Sequence, residues 1–560
     1  MGNAPRACSY CRQQKIKCDK AKPSCAACVK AKIECKPVKT RDIRFVDTTQ
    51  AVAQRYQRIR IKIKASPSLE KAMHPDIETQ ALAFFARYYL LDPVPNGGPH
   101  PGLFGHVMPA VSASRNSAAA MSVSVVALTI FSRWRMDRSL AVSNTKILGR
   151  AIKSLSDDLQ KHDSRRSDLT LLTTLLLQFH SAFESLLFCK KSRIVHHLGA
   201  LALVKEFGHP STWSAIAREF VGCLIHLDIT AAIREKRQVH TEVLYWSSII
   251  HSTSTDTIRH LDILGIQVAD MQFRACTLSG GKDICLSSTE VYKLLNEIQE
   301  LDQSLVLWQG LVSRFWGPFS WTPSEIISPP IQAFQRSCHV YTSINAARRM
   351  NDLRSYRLTL ALVSLKLIGE FEKSNPEFCT SNPSQNRFHV LERRIQWLVD
   401  GFCGSVPFCL GNRNRVGTLL DFDDPIWTFP TCHDMTMSKM YALNGRPAEP
   451  VGLVSPSDHY GHALTQGSWL MLSNLALLVA TFTVNNILTP SFSLKDGQLP
   501  WICHQYLRNL SLNSIKWTHD SSLVESVLTG LDLPPTQVLI SEASRCVRCV
   551  SRGLQLIDDL

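Results

Sequence analysis

The sequence predicts a small metal-stapled module followed by a large all-α domain. Three observations carry this expectation. Six cysteines fall within residues 8–35 in a doubled pattern, basic charge gathers at the same end, and beyond about residue 76 apolar residues recur at helical spacing. The 560 residues leave room for one small module and one very large one, or for several separate cores. Residues 1–64 hold 17 Lys and Arg against 4 Asp and Glu, whereas the remaining 496 hold 45 against 43. A basic head on a near-neutral body is suited to polyanions, nucleic acid above all.

The head comes first. CSYCRQQKIKC (Cys8 to Cys18) and CAACVKAKIEC (Cys25 to Cys35) both fit C-x2-C-x6-C, and both carry a Lys-Ile pair at the same place. Together Cys8, Cys11, Cys18, Cys25, Cys28 and Cys35 read C-x2-C-x6-C-x6-C-x2-C-x6-C. A two-residue gap lets neighbouring thiolates grip one ion from a tight turn, and Zn²⁺ favours four such ligands in a tetrahedron. Six sulfurs satisfy one ion with two to spare, or two ions if two sulfurs bridge; the doubling favours the second solution. Residues 1–40 have few large apolar side chains and need such a staple. A disulfide network is the alternative. The opening MGNAPRACSY lacks the apolar core of a secretory signal, so reduced thiols are expected.

Residues 41–75 read as a linker. Within it Phe45, Thr49, Val52, Tyr56, Ile59 and Ile63 follow alternating spacings of four and three, a heptad seam. It runs for under three heptads, so a short dimerising helix and an amphipathic helix packing on the same chain both fit. From 76 to 560 the text is helical. Ser167 is a candidate cap for a helix that places Leu172, Leu175, Leu176, Phe179, Phe183 and Leu186 on one face. Similar patterns recur around 117–134, 213–234, 332–348, 357–372, 466–484 and 537–557. No repeat period beyond the opening pair supports a solenoid. The stretch LMLSNLALLVATFTV from Leu470 is too short and too interrupted to span a bilayer, so a buried helix and no membrane partner are expected.

The spacing of the six cysteines, the CRxxKxKC core from Cys11 to Cys18, and the Lys-Pro-x-Cys approach to Cys25 resemble the fungal Zn2Cys6 binuclear cluster transcription factors. The resemblance implies two Zn²⁺ ions bridged by Cys8 and Cys25. One would take Cys8, Cys11, Cys18 and Cys25, the other Cys25, Cys28, Cys35 and Cys8. It also implies that the first half-motif enters the DNA major groove, usually at CGG triplets. Pro23 matches a loop proline that is often cis in that family; an ordinary trans proline is the alternative. Lys15 occupies the family's base-reading position, where a cation can donate to guanine O6 and N7. Arg12 and Lys17 would hold phosphates, with Lys20, Lys22 and Lys30 as weaker contacts. Gln14 departs from the arginine common in the family, which puts the CGG preference in doubt. Charge agrees with this division: the first copy carries Arg12, Lys15 and Lys17 without an acid, whereas the second has Glu34, and Val29 and Ala31 suited to packing.

The helical body is similar, less sharply, to the fungal-specific regulatory domain that follows such clusters, through Ala81 to Pro93, Ser167 to Leu187, His196 to Pro210 and Phe220 to Val239. Fully ligated zincs leave no open coordination position, and the body shows no P-loop, GxSxG or HExxH, so no enzyme is expected. Three further motifs have structural readings beside functional ones. DHYGH offers His459 and His462 beside Asp458 as a loop metal pair; Cys546 and Cys549 form a C-x2-C on an amphipathic helix; LLDFDDPIWTF (Leu419 to Phe429) has the composition of an activation segment or of a structural loop. The resemblance implies a nuclear transcription regulator of RNA polymerase II genes, active as a homodimer on double-stranded DNA with the transcription machinery, serving nutrient use or secondary metabolism. The rivals are a zinc-stapled RNA- or protein-binding adaptor and a helical body that binds a metabolite or catalyses.

Overall fold

The computed structural model describes residues 7–36, 76–90, 107–114, 116–137, 140–188, 195–252, 257–279, 288–322, 327–374, 382–435, 445, 447–451, 453–484 and 493–554. The seam from Phe45 to Ile63 lies outside them. The chain divides into two compact units, residues 1–75 and 76–560. The first holds two single-turn helices, α1 (Ser9–Gln13) and α2 (Ala26–Lys30), around a buried cluster of Cys8, Cys11, Cys25 and Cys28.

The described residues of the second unit are largely helical. Its elements run α3 (Ile77–Tyr88), α4 (Val107–Ala113), α5 (Ala118–Trp134), α6 (Leu140–Leu159), α7 (His162–Arg165), α8 (Asp168–Phe188), α9 (Val195–Glu206), α10 (Ala215–Glu235), α11 (Thr241–Ser252), α12 (Thr257–Ser279) and α13 (Ser288–Trp316). After two short strands, β1 (Phe319–Ser320) and β2 (His339–Val340), follow α14 (Ile344–Ser374), α15 (Asn382–Leu410), α16 (Leu420–Asp423), α17 (Pro456–His462), α18 (Ser468–Thr483), α19 (Gln498–Leu512), α20 (Ser521–Thr529) and α21 (Thr536–Leu554). The strands pair antiparallel, Phe319 opposite Val340 and Ser320 opposite His339.

Short polar side chains start the helices by accepting from first-turn N–H groups: Asp76 from Thr79 at 2.9 Å, Ser117 from Ala120 at 3.1 Å, Ser214 from Ala217 at 2.8 Å. The predicted cap Ser167 accepts from Leu169 at 3.2 Å. The expected face of α8 is buried at Leu172, Leu175, Leu176 and Phe183, and Leu171 and Leu177 are buried as well, so neighbours enclose this helix on several sides. α5 is buried almost all round, from Ala118 to Phe131, with Ser122 and Ser124 included. The two long helices α14 and α15 pack on each other, α14 also on α12 and α13, while α18 packs on α19, α21 and α15.

The 332–348 stretch departs from the expected helix. Gln335 and Arg336 have φ of 48° and 58°, β2 follows, and the helix begins only at Ile344, where Ser343 accepts from the Ala346 N–H at 3.1 Å. Sheet pairing with Phe319, distant in sequence, overrides the local period. At the other end of the body, a π turn over Ala463–Gly467 joins α17 to α18. The joined run, Pro456–Thr483, is by length and composition long enough to cross a bilayer, and 67% of its apolar window is buried inside the body. It is a core helix, as the sequence reading of the Leu470 stretch anticipates.

LLDFDDPIWTF is likewise built into the body. Asp421 is buried, pairs with Arg415 at 2.6 Å and accepts from the Thr418 N–H at 2.6 Å. Phe422 lies edge-on to Phe84 and Trp134, and Trp427 and Phe429 are buried. Cys546 is a buried thiol on α21; the Cys549 side chain lies outside the described set.

Candidate metal centre and basic face

Each half-motif folds into the same device. Cys8 and Cys25 sit at the N-caps of α1 and α2, and the second cysteine of each pair falls inside its helix. Both helices then close in the same way. Lys15 and Lys32 adopt left-handed φ of 55° and 52°. The Ile16 N–H donates to the Cys11 carbonyl at 3.0 Å and the Ile33 N–H to the Cys28 carbonyl at 3.1 Å. Lys15 N–H donates to Arg12 O and Lys32 N–H to Val29 O, which completes a Schellman cap in each copy. The repeated Lys-Ile pair is therefore the cap itself, and it turns the chain back so that the third cysteine of each half can reach the first two. Asp19 accepts from the Ala26 N–H at 3.1 Å and braces the start of α2, and the Ser9 N–H donates to Lys36 O at 3.0 Å, tying the two ends of the module. The Lys22–Pro23 peptide is cis.

The sulfurs converge as two tetrads. Those of Cys8, Cys11, Cys18 and Cys25 lie within 4.8 Å of one another, as do those of Cys8, Cys25, Cys28 and Cys35. Cys8 and Cys25 belong to both. Sulfur separations are 3.7 Å for Cys8–Cys25, 3.5 Å for Cys8–Cys28 and 3.6 Å for Cys11–Cys25. A tetrahedron with Zn–S bonds of about 2.3 Å has edges of about 3.8 Å, whereas a disulfide needs about 2.05 Å. All six cysteines are free thiols, so the donor set fits zinc and excludes the disulfide network. The Cys11 backbone N–H donates to Cys8 Sγ at 3.5 Å and pulls that thiol down to about 6. Burial pushes the Cys11 and Cys28 thiols up, a desolvation that a bound dication offsets.

Arg12, Gln14, Lys15, Lys17, Lys20 and Lys22 are all exposed, as is Lys30. Arg12 lies in the last turn of α1 and Lys15 in its cap, where cations complement the helix dipole. One expectation fails. Val29 is 64% exposed and Ala31 is exposed too, so neither packs on the cluster. The sulfurs themselves fill the centre of so small a module and leave no core for α2 to bury those side chains in.

Elsewhere DHYGH resolves into structure. It lies on α17 rather than in a loop: Ser455 caps the helix through the Asp458 N–H at 3.1 Å, Asp458 pairs with Arg87 at 2.8 Å, and buried His459 donates from Nε2 to Pro430 O at 3.1 Å. A group the sequence reading did not find joins His197, Asp228 and His240. Arg237 already donates to the same Asp228 oxygen at 2.8 Å, and His240 N–H donates to the other at 2.9 Å. Burial opposes the Asp228 charge, yet hydrogen bonds from His197, Arg237 and His240 hold its carboxyl well below the usual range. With a guanidinium in the place an ion would take, this is a structural ion cluster. Its trace in the sequence is Asp228, which interrupts the apolar run of α10.

Residues 6–44 match the family model described as the fungal Zn(2)-Cys(6) binuclear cluster domain. The head is a Zn2Cys6 domain. Domains of this family bind two zinc ions and DNA, and are typical of fungal transcription regulators, which are generally nuclear and are not enzymes. No curated protein and no solved structure matches the chain.

Proposed function

We propose that this chain is a nuclear, sequence-specific regulator of RNA polymerase II genes that reads CGG-like triplets with its Zn2Cys6 head. The observation that carries the reading is the pair of sulfur tetrads sharing Cys8 and Cys25, with an exposed cationic surface on the first half-motif. In this reading Cys8 and Cys25 bridge two Zn²⁺ ions, Cys11 and Cys18 complete one shell, and Cys28 and Cys35 complete the other. Lys15 contacts base edges, Gln14 modulates which triplet is preferred, and Arg12, Lys17, Lys20 and Lys22 neutralise phosphates. Residues 41–75 link head to body and supply the homodimer contact. Residues 76–560 serve as the regulatory domain, through which the transcription machinery is engaged for a nutrient or secondary-metabolite pathway.

Binding-site selection with the zinc-loaded full chain tests this. Enrichment of paired CGG-like half-sites is expected, and the recovered spacing and symmetry report the dimer. With roughly four phosphate contacts from each head of the dimer, affinity should fall about ten-thousandfold between 50 and 200 mM salt. No enrichment over random duplex, or tighter binding to RNA, would replace this reading with that of an adaptor.

A further inference from the structure

Helices α10, α12, α14 and α18 enclose a cavity of about 410 Å³, within the size range of small-molecule sites. Ile233 of α10 and Leu470, Leu477 and Ala480 of α18 give it an apolar wall, and exposed Ser473 lies at its mouth. The polar lining is not self-sufficient. Gln272 and Tyr356 are each 3% exposed, yet Gln272 Oε1 and the Tyr356 hydroxyl have no hydrogen-bond partner among the described residues. Leaving such groups unpaired costs about 1–3 kcal/mol each, so two of them facing one cavity need an explanation.

Charge points the same way. The acids near the cavity face cations: Asp262 pairs with His226 at 2.8 Å and Arg349 at 3.7 Å, whereas Asp352 Oδ2 lies 3.5 Å from Arg349 and 3.8 Å from His226 and has no hydrogen-bond partner among the described residues. Arg348, which also lines the cavity, makes no hydrogen bond or ion pair of its own with a described residue, and burial pulls its pKa below the usual arginine range. The lining therefore offers two donors, the Arg348 guanidinium and the Tyr356 phenol, beside an apolar wall, while the unpartnered Gln272 Oε1 is an acceptor. A guanidinium with a carboxylate, Asp352, in the same lining suits a monoanion better than a phosphate ester.

We propose that this cavity binds a small amphipathic monocarboxylate, its anionic end accepting from Arg348 and the Tyr356 hydroxyl and its apolar body lying against α18. Such a ligand would pair Arg348 and Tyr356 at once and displace water from the apolar wall. It would also bridge α10, α12, α14 and α18, whose cavity-lining residues run from His226 to Ala480, and so couple occupancy to the packing of the body.

The test is titration of the full chain with 1-pyrenebutyrate, followed by the anisotropy of the probe's own fluorescence, with the neutral 1-pyrenebutanol in parallel. Saturable one-to-one binding of the acid is expected, with the alcohol weaker by about tenfold. Arg348→Met should weaken the acid by about tenfold and leave the alcohol unchanged, while Arg348→Lys retains binding within about threefold. Ser473→Trp, which fills the mouth from an exposed position, should abolish both; Thr230→Trp on the facing helix serves the same purpose if that variant does not fold. Absence of saturable binding, equal affinity for acid and alcohol, or indifference to Arg348→Met and to the filling variant each overturns the proposal. None of these readouts depends on whether the head reads DNA.

Discussion

Lys15 and Lys32 hold the same left-handed conformation at the same point of two copies of one device, yet only Lys15 lies in the half-motif without an acid. A side chain with a Cβ costs about 1 kcal/mol in that region relative to glycine, which is the usual residue at this cap position. In the proposed reading, lysine at position 15 offsets that cost through its contact with DNA. Replacing each with glycine separates the two roles. Lys15→Gly should slow chelator-driven loss of zinc, since the cap relaxes, and weaken specific DNA binding by tenfold or more, about 1–3 kcal/mol. Lys32→Gly should slow zinc loss equally and leave DNA affinity within about twofold. Equal losses of DNA affinity in the two variants would end the idea that the halves divide their labour.

Among the elements, the π turn between α17 and α18 has a cause in close packing. A Cβ on Gly467 would collide with the carbonyl of Cys409 near the end of α15, so the two backbones touch where only glycine fits. Groups around the widened turn find partners elsewhere: Arg413 donates to Leu464 O at 3.1 Å, and Gln466 and Thr465 donate to Tyr88 O at the end of α3 at 2.9 and 3.2 Å. Gly467→Ala should therefore destabilise the body by about 1–3 kcal/mol in urea unfolding. Gly222 is the control, because a Cβ there meets nothing within 4 Å on the helical backbone of α10. Gly222→Ala should stabilise by up to about 1 kcal/mol. No sequence pattern tells these two glycines apart, since what differs is the distance to a chain segment remote in sequence.

For the whole body, burial of neutral histidines sets an acid limit. His459 and His504 are pushed down to about 4 and His339 to about 3, each chiefly by desolvation. Below pH 6.5 the unfolded chain takes up protons that the folded body refuses, so stability is fully present above 6.5 and is lost as pH falls toward 4. A shift from 6.5 to about 4 corresponds to about 3 kcal/mol for one histidine at the lower end. The melting temperature of the body should fall steeply between pH 6.5 and 4.5. His504 donates from Nε2 to Val527 O at 2.8 Å, a bond that a glutamine amide can replace, so His504→Gln should flatten that fall. An unchanged acid limb in this variant would mean that His504 titrates normally.

What the sequence determined by itself is the head. Its fold is a consequence of six sulfurs at fixed spacing, and metal ligation is local enough that spacing marks all six ligands; the sharing of Cys8 and Cys25 is implied by the family resemblance and agrees with the two sulfur tetrads of the structure. Helical period also marked most of the body, because an apolar stripe is written within a single element. The strand pair at Phe319 and Val340, the Asp228 cluster and the four-helix cavity were decided only in the tertiary structure. Each depends on side chains brought together from distant stretches, and a local pattern carries no record of which of its residues will be left beside an unfilled space.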